Sequence, residues 1–183
     1  MTDLVILGGS YSHLRDYIVL IAQLDEKAFC ERLSVPVLIS RKKDKQTSFG
    51  KDQTEFILDK REGAIPGEVA RLDPRMQVLE IRQRTAQPGG YVSLGRAETC
   101  DLVVSDFTVS SRHAVFTPDE NSGLYMIQDL NSKNGTLVDG NHLGSDKAVP
   151  LSGFNVLLFG DTPFLFFYPA GLYQALEASF KKP

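Results

Sequence analysis

The 183-residue chain has no tryptophan, only two cysteines and only three histidines, and each scarcity removes a class of function. Cys30 and Cys100 lie far apart without CxxC spacing, which excludes a disulfide framework and a zinc knuckle and leaves two free thiols. His13, His113 and His142 stand at no metal-ligand spacing with cysteine or carboxylates, so neither a metal nor a cofactor is expected. The turn Ile6-Leu7-Gly8-Gly9-Ser10 leads into no GxGxxG or GK[ST] pattern, and no GxSxG elbow occurs, so catalysis is not expected. Long apolar runs are missing too. Tyr17–Ala22 is far below spanning length and is flanked by Arg15, Asp16, Asp25 and Glu26. The N-terminus lacks the basic region of a signal peptide, so the cytoplasm is the expected location and no membrane partner is foreseen. Excess positive charge is absent as well. A formal net charge of −3 argues against nucleic acid as a partner.

What remains is an ordinary soluble composition, 42% hydrophobic and 23% charged, on a chain long enough for one well-buried core with an extension. Its first part is mixed. Leu14, Tyr17, Ile18, Ile21, Leu24, Ala28, Phe29 and Leu33 recur at helical spacing, predicting an amphipathic helix from Ser10 to about Leu33 with Ser10 or Ser12 as cap. Pro36 stops the pattern, and Val35 to Ser40 reads as a short strand. Arg41 to Ser48 is polar enough for a solvated loop. Phe56-Ile57-Leu58 reads as a short strand or an apolar anchor, and Asp59 to Pro66 as irregular.

From Met76 onward the pattern turns to strands. Met76 to Arg82 alternates with period two, and Gln87-Pro88-Gly89-Gly90 supplies a turn. Further short strands are predicted at Tyr91–Leu94, Leu102–Val104, Arg112–Thr117, Leu124–Asp129, Thr136–Val138, Asn155–Phe159 and Phe164–Tyr168. Turn-forming residues separate them, among them Asp119 to Gly123, Asn134-Gly135, Asp139-Gly140 and Gly160-Asp161. Short strands this closely spaced argue for an antiparallel β-sandwich. Leu172, Tyr173, Leu176 and Phe180 mark a closing helix from Gly171 to Phe180.

Three of the connections carry candidate chemistry. Arg96 stands just past a strand, Ser110 sits in a tight loop, and Lys133-Asn134 lies in another. A cation, a hydroxyl and loop amides are the inventory for holding a phosphate dianion. Each also has a plainer account. Arg96 could pair with Glu98 or Asp101, Ser110 could bond its own turn, and Asn134-Gly135 could be a hairpin turn.

In their order these segments resemble the forkhead-associated (FHA) domain, a phosphothreonine-reading module. Tyr91-Val92-Ser93-Leu94-Gly95-Arg96 is similar to the family's strand ending in Gly-Arg. Ser110-Ser111-Arg112-His113 matches its Ser-x-x-His, and Asp129-Leu130-Asn131-Ser132-Lys133-Asn134-Gly135-Thr136 its Asp-x-x-Ser-x-Asn-Gly-Thr. Phe159-Gly160 falls near the usual Phe-Gly, and the likeness runs from about Met76 to Tyr168. The resemblance implies Arg96 and Ser110 as direct phosphate contacts, with Ser111 and Arg112 supporting. It implies that Lys133 adjoins the phosphate and that Asn134 binds the peptide backbone, while Gly95, His113, Gly135 and Thr136 are structural. Lys133 departs from the Thr or Ser common at its position, exchanging a short hydroxyl for a charge with three donors.

The expected architecture is therefore mainly β: an FHA-type two-sheet sandwich at 76–169, an α/β extension at 1–75, and a short helix at 170–183. The expected function is phosphothreonine-peptide binding by an adaptor working with a Ser/Thr protein kinase. The alternative is a phosphate-independent scaffold of the same fold. A threonine of the chain's own polar segment, Thr47 or Thr54, is a further candidate ligand.

Overall fold

The computed structural model describes residues 12–41, 72–84, 86 and 89–181. In chain order the described elements are β1 (Ser12–His13), α1 (Leu14–Gln23), α2 (Glu26–Arg32), β2 (Val37–Ser40), β3 (Gln77–Glu80) and β4 (Val92–Gly95). Then come β5 (Leu102–Val103), β6 (Ala114–Pro118), β7 (Tyr125–Asp129), β8 (Thr136–Val138), β9 (Asn141–His142) and β10 (Ala148–Pro150). The hairpin β11 (Phe154–Phe159) and β12 (Thr162–Phe167) and the helix α3 (Pro169–Phe180) complete the set.

The strands form two sheets among the described residues, ordered β1-β3-β2-β12-β11-β8-β9 and β10-β7-β6-β4-β5. The protein is thus mainly β, a two-sheet sandwich with a short C-terminal helix. Every pairing is antiparallel except that of β4 with β5, where Leu94 sits opposite Leu102 in a parallel register. The N-terminal part contributes directly to this architecture. Val37, Leu38 and Ile39 of β2 pair with β3, and the same strand pairs with Phe164 to Phe167 of β12.

Period-two geometry sends alternate residues of the larger sheet into different cores. Leu38, Leu79, Leu157, Phe159, Phe164 and Phe166 meet Val92, Leu94, Phe116 and Ile127 between the sheets. Val37, Ile39, Val78, Leu165 and Phe167 face the other way, onto Leu14, Tyr17, Phe29, Leu172 and Leu176 of the helices. Central strands buried on both faces read as unbroken apolar runs, which is why Val37-Leu38-Ile39 and Phe164-Leu165-Phe166-Phe167 show no alternation.

The single helix expected from Ser10 to Leu33 is two. Leu24 and Asp25 leave the helical region, and Asp25 Oδ1 accepts the Ala28 amide at 2.8 Å, capping α2. Apolar spacing passes across this break because both helices bury one face on the same sheet. Ser12 belongs to β1, and the N-cap position of α1 is His13, whose amide donates to Asp16 Oδ2 at 3.0 Å. Ser10, Gln87-Pro88, Phe56–Leu58, Asp59–Pro66, Thr47, Thr54 and all but Arg41 of the expected polar loop lie outside the described residues. The hairpin turn joining β8 to β9 is Asp139-Gly140, with φ of 49° and 78°, both in the left-handed region that a type I′ turn requires. Asn134-Gly135 is not such a turn: Gly135 has φ 80°, but Asn134 is not in the left-handed region.

Candidate functional site

The connections β4–β5, β5–β6 and β7–β8 meet at Ser110. The Arg96 amide donates to the Ser110 carbonyl at 2.9 Å, and the Lys133 amide donates to Ser110 Oγ at 2.9 Å. A tight approach at Gly95 makes the first contact possible. A Cβ built there would lie 2.2 Å from the Ser111 carbonyl oxygen, so any side chain would push the Ser110-Ser111 backbone away.

Ser110 is fixed from beneath by His113, which is fully buried. Its Nδ1 accepts the Ser110 amide at 3.0 Å, so the ring proton resides on Nε2, which donates to the Gly135 carbonyl at 3.1 Å. That carbonyl also accepts the Gly160 amide at 3.0 Å. One neutral imidazole therefore joins the β5–β6 and β7–β8 connections. Burial, the largest influence, pushes its pKa below the ordinary value against the upward pull of the Gly135 bond and the Asp129 carboxylate.

Asp129, at the end of β7, organises the next loop. Its carboxylate accepts the Ser132 amide at 2.8 Å, the Ser132 hydroxyl at 2.7 Å and the Thr136 hydroxyl at 2.5 Å. Burial acts to raise its pKa, but the bonds from Thr136 and Ser132 together with nearby His113 hold it below the usual carboxylate range. Asp101 plays the equivalent part under β4. It accepts the Ser93 hydroxyl at 2.6 Å and the Ser93 amide at 2.8 Å, and the Arg84 amide at 2.9 Å. Burial opposes its ionisation, and these bonds more than compensate.

Asn134 ties the loops together from the other side. Its Nδ2 donates to the Thr108 carbonyl at 2.7 Å, while its Oδ1 has no protein partner among the described residues. Thr108 is itself held by Asp106 and, through its hydroxyl, by the Asp161 amide at 3.0 Å.

Exposed cations gather at this end of the sandwich. Arg96, Arg112 and Lys133 are exposed and form no ion pair among the described residues. The pairing of Arg96 with Glu98 or Asp101 does not occur, because Asp101 is buried and engaged with Ser93; the Arg96 Nε makes only a 3.3 Å bond to the Val109 carbonyl. Ser110 does not spend its hydroxyl on its own turn, since its Oγ accepts from Lys133. Ser111 turns its carbonyl inward to the Ala97 amide and Cys100 Sγ, and its own amide has no partner among the described residues. Arg112 lies further round. Burial raises the Cys100 pKa, and the charge of Arg112 opposes that rise.

Arg96, Ser110, Lys133 and Asn134 thus come together, Gly95, His113, Gly135 and Thr136 lie in the scaffold beneath them, and Ser111 and Arg112 stand at the margin. Three neighbours adjoin them: Gly160, marked in the sequence by its turn and its Phe-Gly pair, and His142 and Phe107, which no sequence motif assigned to the site. Gly160, φ 57°, abuts Thr108 so closely that a Cβ would sit 2.4 Å from its carbonyl oxygen. His142 Nδ1 lies 3.5 Å from where a Cβ on Gly135 would be. Phe107, between Asp106 and Thr108, is 88% exposed. An isolated aromatic inside a polar loop was the one sequence signal for it.

A two-sheet β-sandwich that presents cations unpaired among the described residues, a hydroxyl and loop amides at one end defines a binding module. Comparison with known proteins places an FHA domain in it: residues 92–160 match the model of that family. A probable serine/threonine-protein kinase of Dictyostelium discoideum, fhkA, is 36% identical over 76 residues, covering 38% of this chain and 13% of that protein. An FHA domain-containing protein of Arabidopsis thaliana is 33% identical over 76 residues, covering 41% of this chain and 19% of that one. The likeness therefore spans less than a fifth of either relative. Among solved structures, the FHA domain of the CT664 protein from Chlamydia trachomatis is 31% identical over 45% of this chain and 80% of that chain, with a TM-score of 0.39. No helix among the described residues is long and apolar enough to cross a membrane.

Proposed function

We propose that this chain is a cytoplasmic adaptor that binds phosphothreonine peptides and acts by recognition, not catalysis. The observation that carries this reading is the meeting of three loops at Ser110 beside Arg96 and Lys133, cations without intramolecular ion pairs among the described residues. Ser110 Oγ already accepts from Lys133, so its own proton is free to donate to a phosphate oxygen. Arg96 and Lys133 supply charge, the Ser111 amide supplies a further donor, and Arg112 adds positive potential at the margin. Asn134 Oδ1 accepts from the peptide backbone next to the phosphothreonine. Beneath them, Gly95, His113, Gly135 and Thr136 keep the loops in register.

A Ser/Thr kinase creates the ligand in this reading. The Dictyostelium relative is named as a probable kinase of that class, which supports such a pairing. Residues 76–169 form the recognition unit, with 1–75 and 170–183 as additions to it, Val37–Ser40 serving as a strand of its larger sheet.

Titration of a phosphothreonine peptide and its unphosphorylated twin tests the reading. Charge-assisted hydrogen bonds contribute about 1.5–3 kcal/mol each. Arg96→Ala is therefore expected to weaken phosphopeptide binding about tenfold or more, at about 1.4 kcal/mol per decade. Equal affinity of the intact protein for both peptides would overturn it in favour of a phosphate-independent scaffold.

A further inference from the structure

Of the chain's five asparagines, only Asn134 is followed by glycine. In such a pair no side chain shields the next amide nitrogen, which can attack the carboxamide carbon and close a cyclic imide. Asparagine is counted among the thermolabile residues. The fold leaves this pair open to the reaction. Asn134 is exposed, and the Gly135 amide makes no hydrogen bond among the described residues, so none has to break before its nitrogen can act. The carboxamide is held at one end only. Its Nδ2 donates to the Thr108 carbonyl at 2.7 Å, and its Oδ1 has no protein partner among the described residues. Asp139-Gly140, the comparable acidic pair, is better secured: the Asp139 carboxylate accepts the Val156 amide at 2.8 Å and Asn155 Nδ2 at 2.7 Å.

A second group stands beside the same glycine. His142 Nδ1 lies 3.5 Å from where a Cβ on Gly135 would be. Its ring is exposed and makes no hydrogen bond among the described residues. An unengaged imidazole there is placed to take up the amide proton. The Gly135 carbonyl, meanwhile, is fixed by His113 Nε2 at 3.1 Å and the Gly160 amide at 3.0 Å, so the glycine stays against His142.

We propose that Asn134-Gly135 is a self-modification site: in the unoccupied protein the Gly135 nitrogen displaces ammonia from the Asn134 carboxamide, with His142 as proton acceptor, and this ends phosphopeptide recognition. The inference rests on the phosphopeptide reading above. The Gly135 nitrogen gives up its proton and bonds to Asn134 Cγ, the Cγ–Nδ2 bond breaks, and Nδ2 takes up a proton and leaves as ammonia. Water then opens the imide. Cleavage at Cγ yields aspartate, and cleavage at the backbone carbonyl carbon yields isoaspartate, whose main chain runs through Cγ. Nothing is oxidised or reduced. Either product puts a carboxylate where a donor stood. The Thr108 carbonyl then loses its Asn134 bond, and a second anion meets the phosphate dianion beside Lys133. A bound peptide opposes the first step, because it engages Oδ1 while Thr108 keeps Nδ2. The site is preserved while occupied and inactivated while empty.

The test is incubation of the intact protein at mildly alkaline pH, with and without a phosphothreonine peptide, followed by mass spectrometry of the fragment containing residues 134 and 135. Conversion of residue 134 to aspartate and isoaspartate is expected, with phosphopeptide affinity about tenfold or more weaker in the converted protein. Phosphopeptide at about ten times its Kd should slow conversion about tenfold, because only the free fraction reacts. His142→Leu should convert more slowly, and added imidazole should restore part of the rate. A protein left unconverted under conditions that convert a synthetic peptide of residues 131–138 overturns the proposal. Conversion at one rate with and without bound phosphopeptide does so too, and an unchanged rate in His142→Leu overturns the part given to the imidazole. Failure of the intact protein to prefer the phosphorylated peptide overturns the underlying reading instead, while conversion of residue 134 is read independently by mass.

Discussion

The two faces of the seven-stranded sheet are built from alternate residues of the same strands, yet they serve different ends. The face toward the five-stranded sheet buries Phe116, Phe159, Phe164 and Phe166 and lies directly beneath the candidate site: the His113 ring stands edge-on to Phe159 with centroids 5.6 Å apart. The opposite face packs against Phe29, Leu172 and Tyr173 of the helices and, among the described residues, sends no side chain to the site. Stability can therefore be lost on either face, whereas recognition is coupled to only one. Losing the same apolar volume should have different functional results on the two sides.

That difference is tested most severely by a pair of truncations. Phe159→Ala and Phe29→Ala should each cost about 3–5 kcal/mol of stability, measured by chemical unfolding. At temperatures where both variants are still folded, only Phe159→Ala should weaken phosphopeptide binding, because the cavity lies against the His113 brace. Equal weakening by the two variants would show that both faces are coupled to recognition, and equal retention that neither is.

Gly95→Ala should be milder in stability and decisive for binding. Its new Cβ meets the Ser111 backbone at 2.2 Å, and relief of that overlap costs about 1–3 kcal/mol. The displaced Ser110-Ser111 segment should abolish phosphopeptide affinity in a calorimetric titration while the circular dichroism spectrum is unchanged. Gly153, where nothing lies within 4 Å of a built Cβ, provides the control substitution.

The smallest expected effect is a pH dependence. The pKa of His113 is lowered in the folded protein, so between that value and the ordinary imidazole value the unfolded chain binds the extra proton. Stability from this group is complete above the ordinary imidazole value and is lost as pH falls through the lowered one. Asp129 and Asp101 are also depressed, so their contribution is present above the ordinary carboxylate value and lost as pH falls through their folded values. Acid unfolding should thus begin with His113 and steepen with the carboxylates. His113→Gln, whose amide side chain does not titrate, should remove the first phase from a plot of unfolding free energy against pH.

Much of this arrangement was legible in the sequence where local rules decide it. Thr136–Val138 occurs as read, and the strands around it differ only at their ends, because turn residues such as Asp119 to Gly123 and Asp139-Gly140 punctuate them. The motif order brought Arg96, Ser110 and Asn134 into view although more than thirty residues of chain separate the first from the last. What escaped depends on distance in space. The insertion of Val37–Ser40 between β3 and β12 is set by long-range pairing that no local pattern encodes. The very short strands Ser12–His13, Asn141–His142 and Ala148–Pro150 lie at or near sheet edges and carry too few residues for a periodic signal. Phe107 escaped for the opposite reason: an aromatic residue reads by default as core, and only the folded loop shows it facing solvent.

The position of Val37–Ser40 also has a consequence in time. This strand has one neighbour nearer in sequence, Gln77–Glu80, and another, Thr162–Phe167, that enters the chain only after every other described strand. During synthesis its second edge must wait unpaired until the last hairpin emerges. Non-local pairing of this kind slows folding and prolongs the exposure of an apolar edge to other chains. The five-stranded sheet, formed wholly from Val92 to Pro150, has no such delay. The half of the sandwich that carries Arg96 and Ser110 can therefore be assembled before the sheet on which it rests is complete.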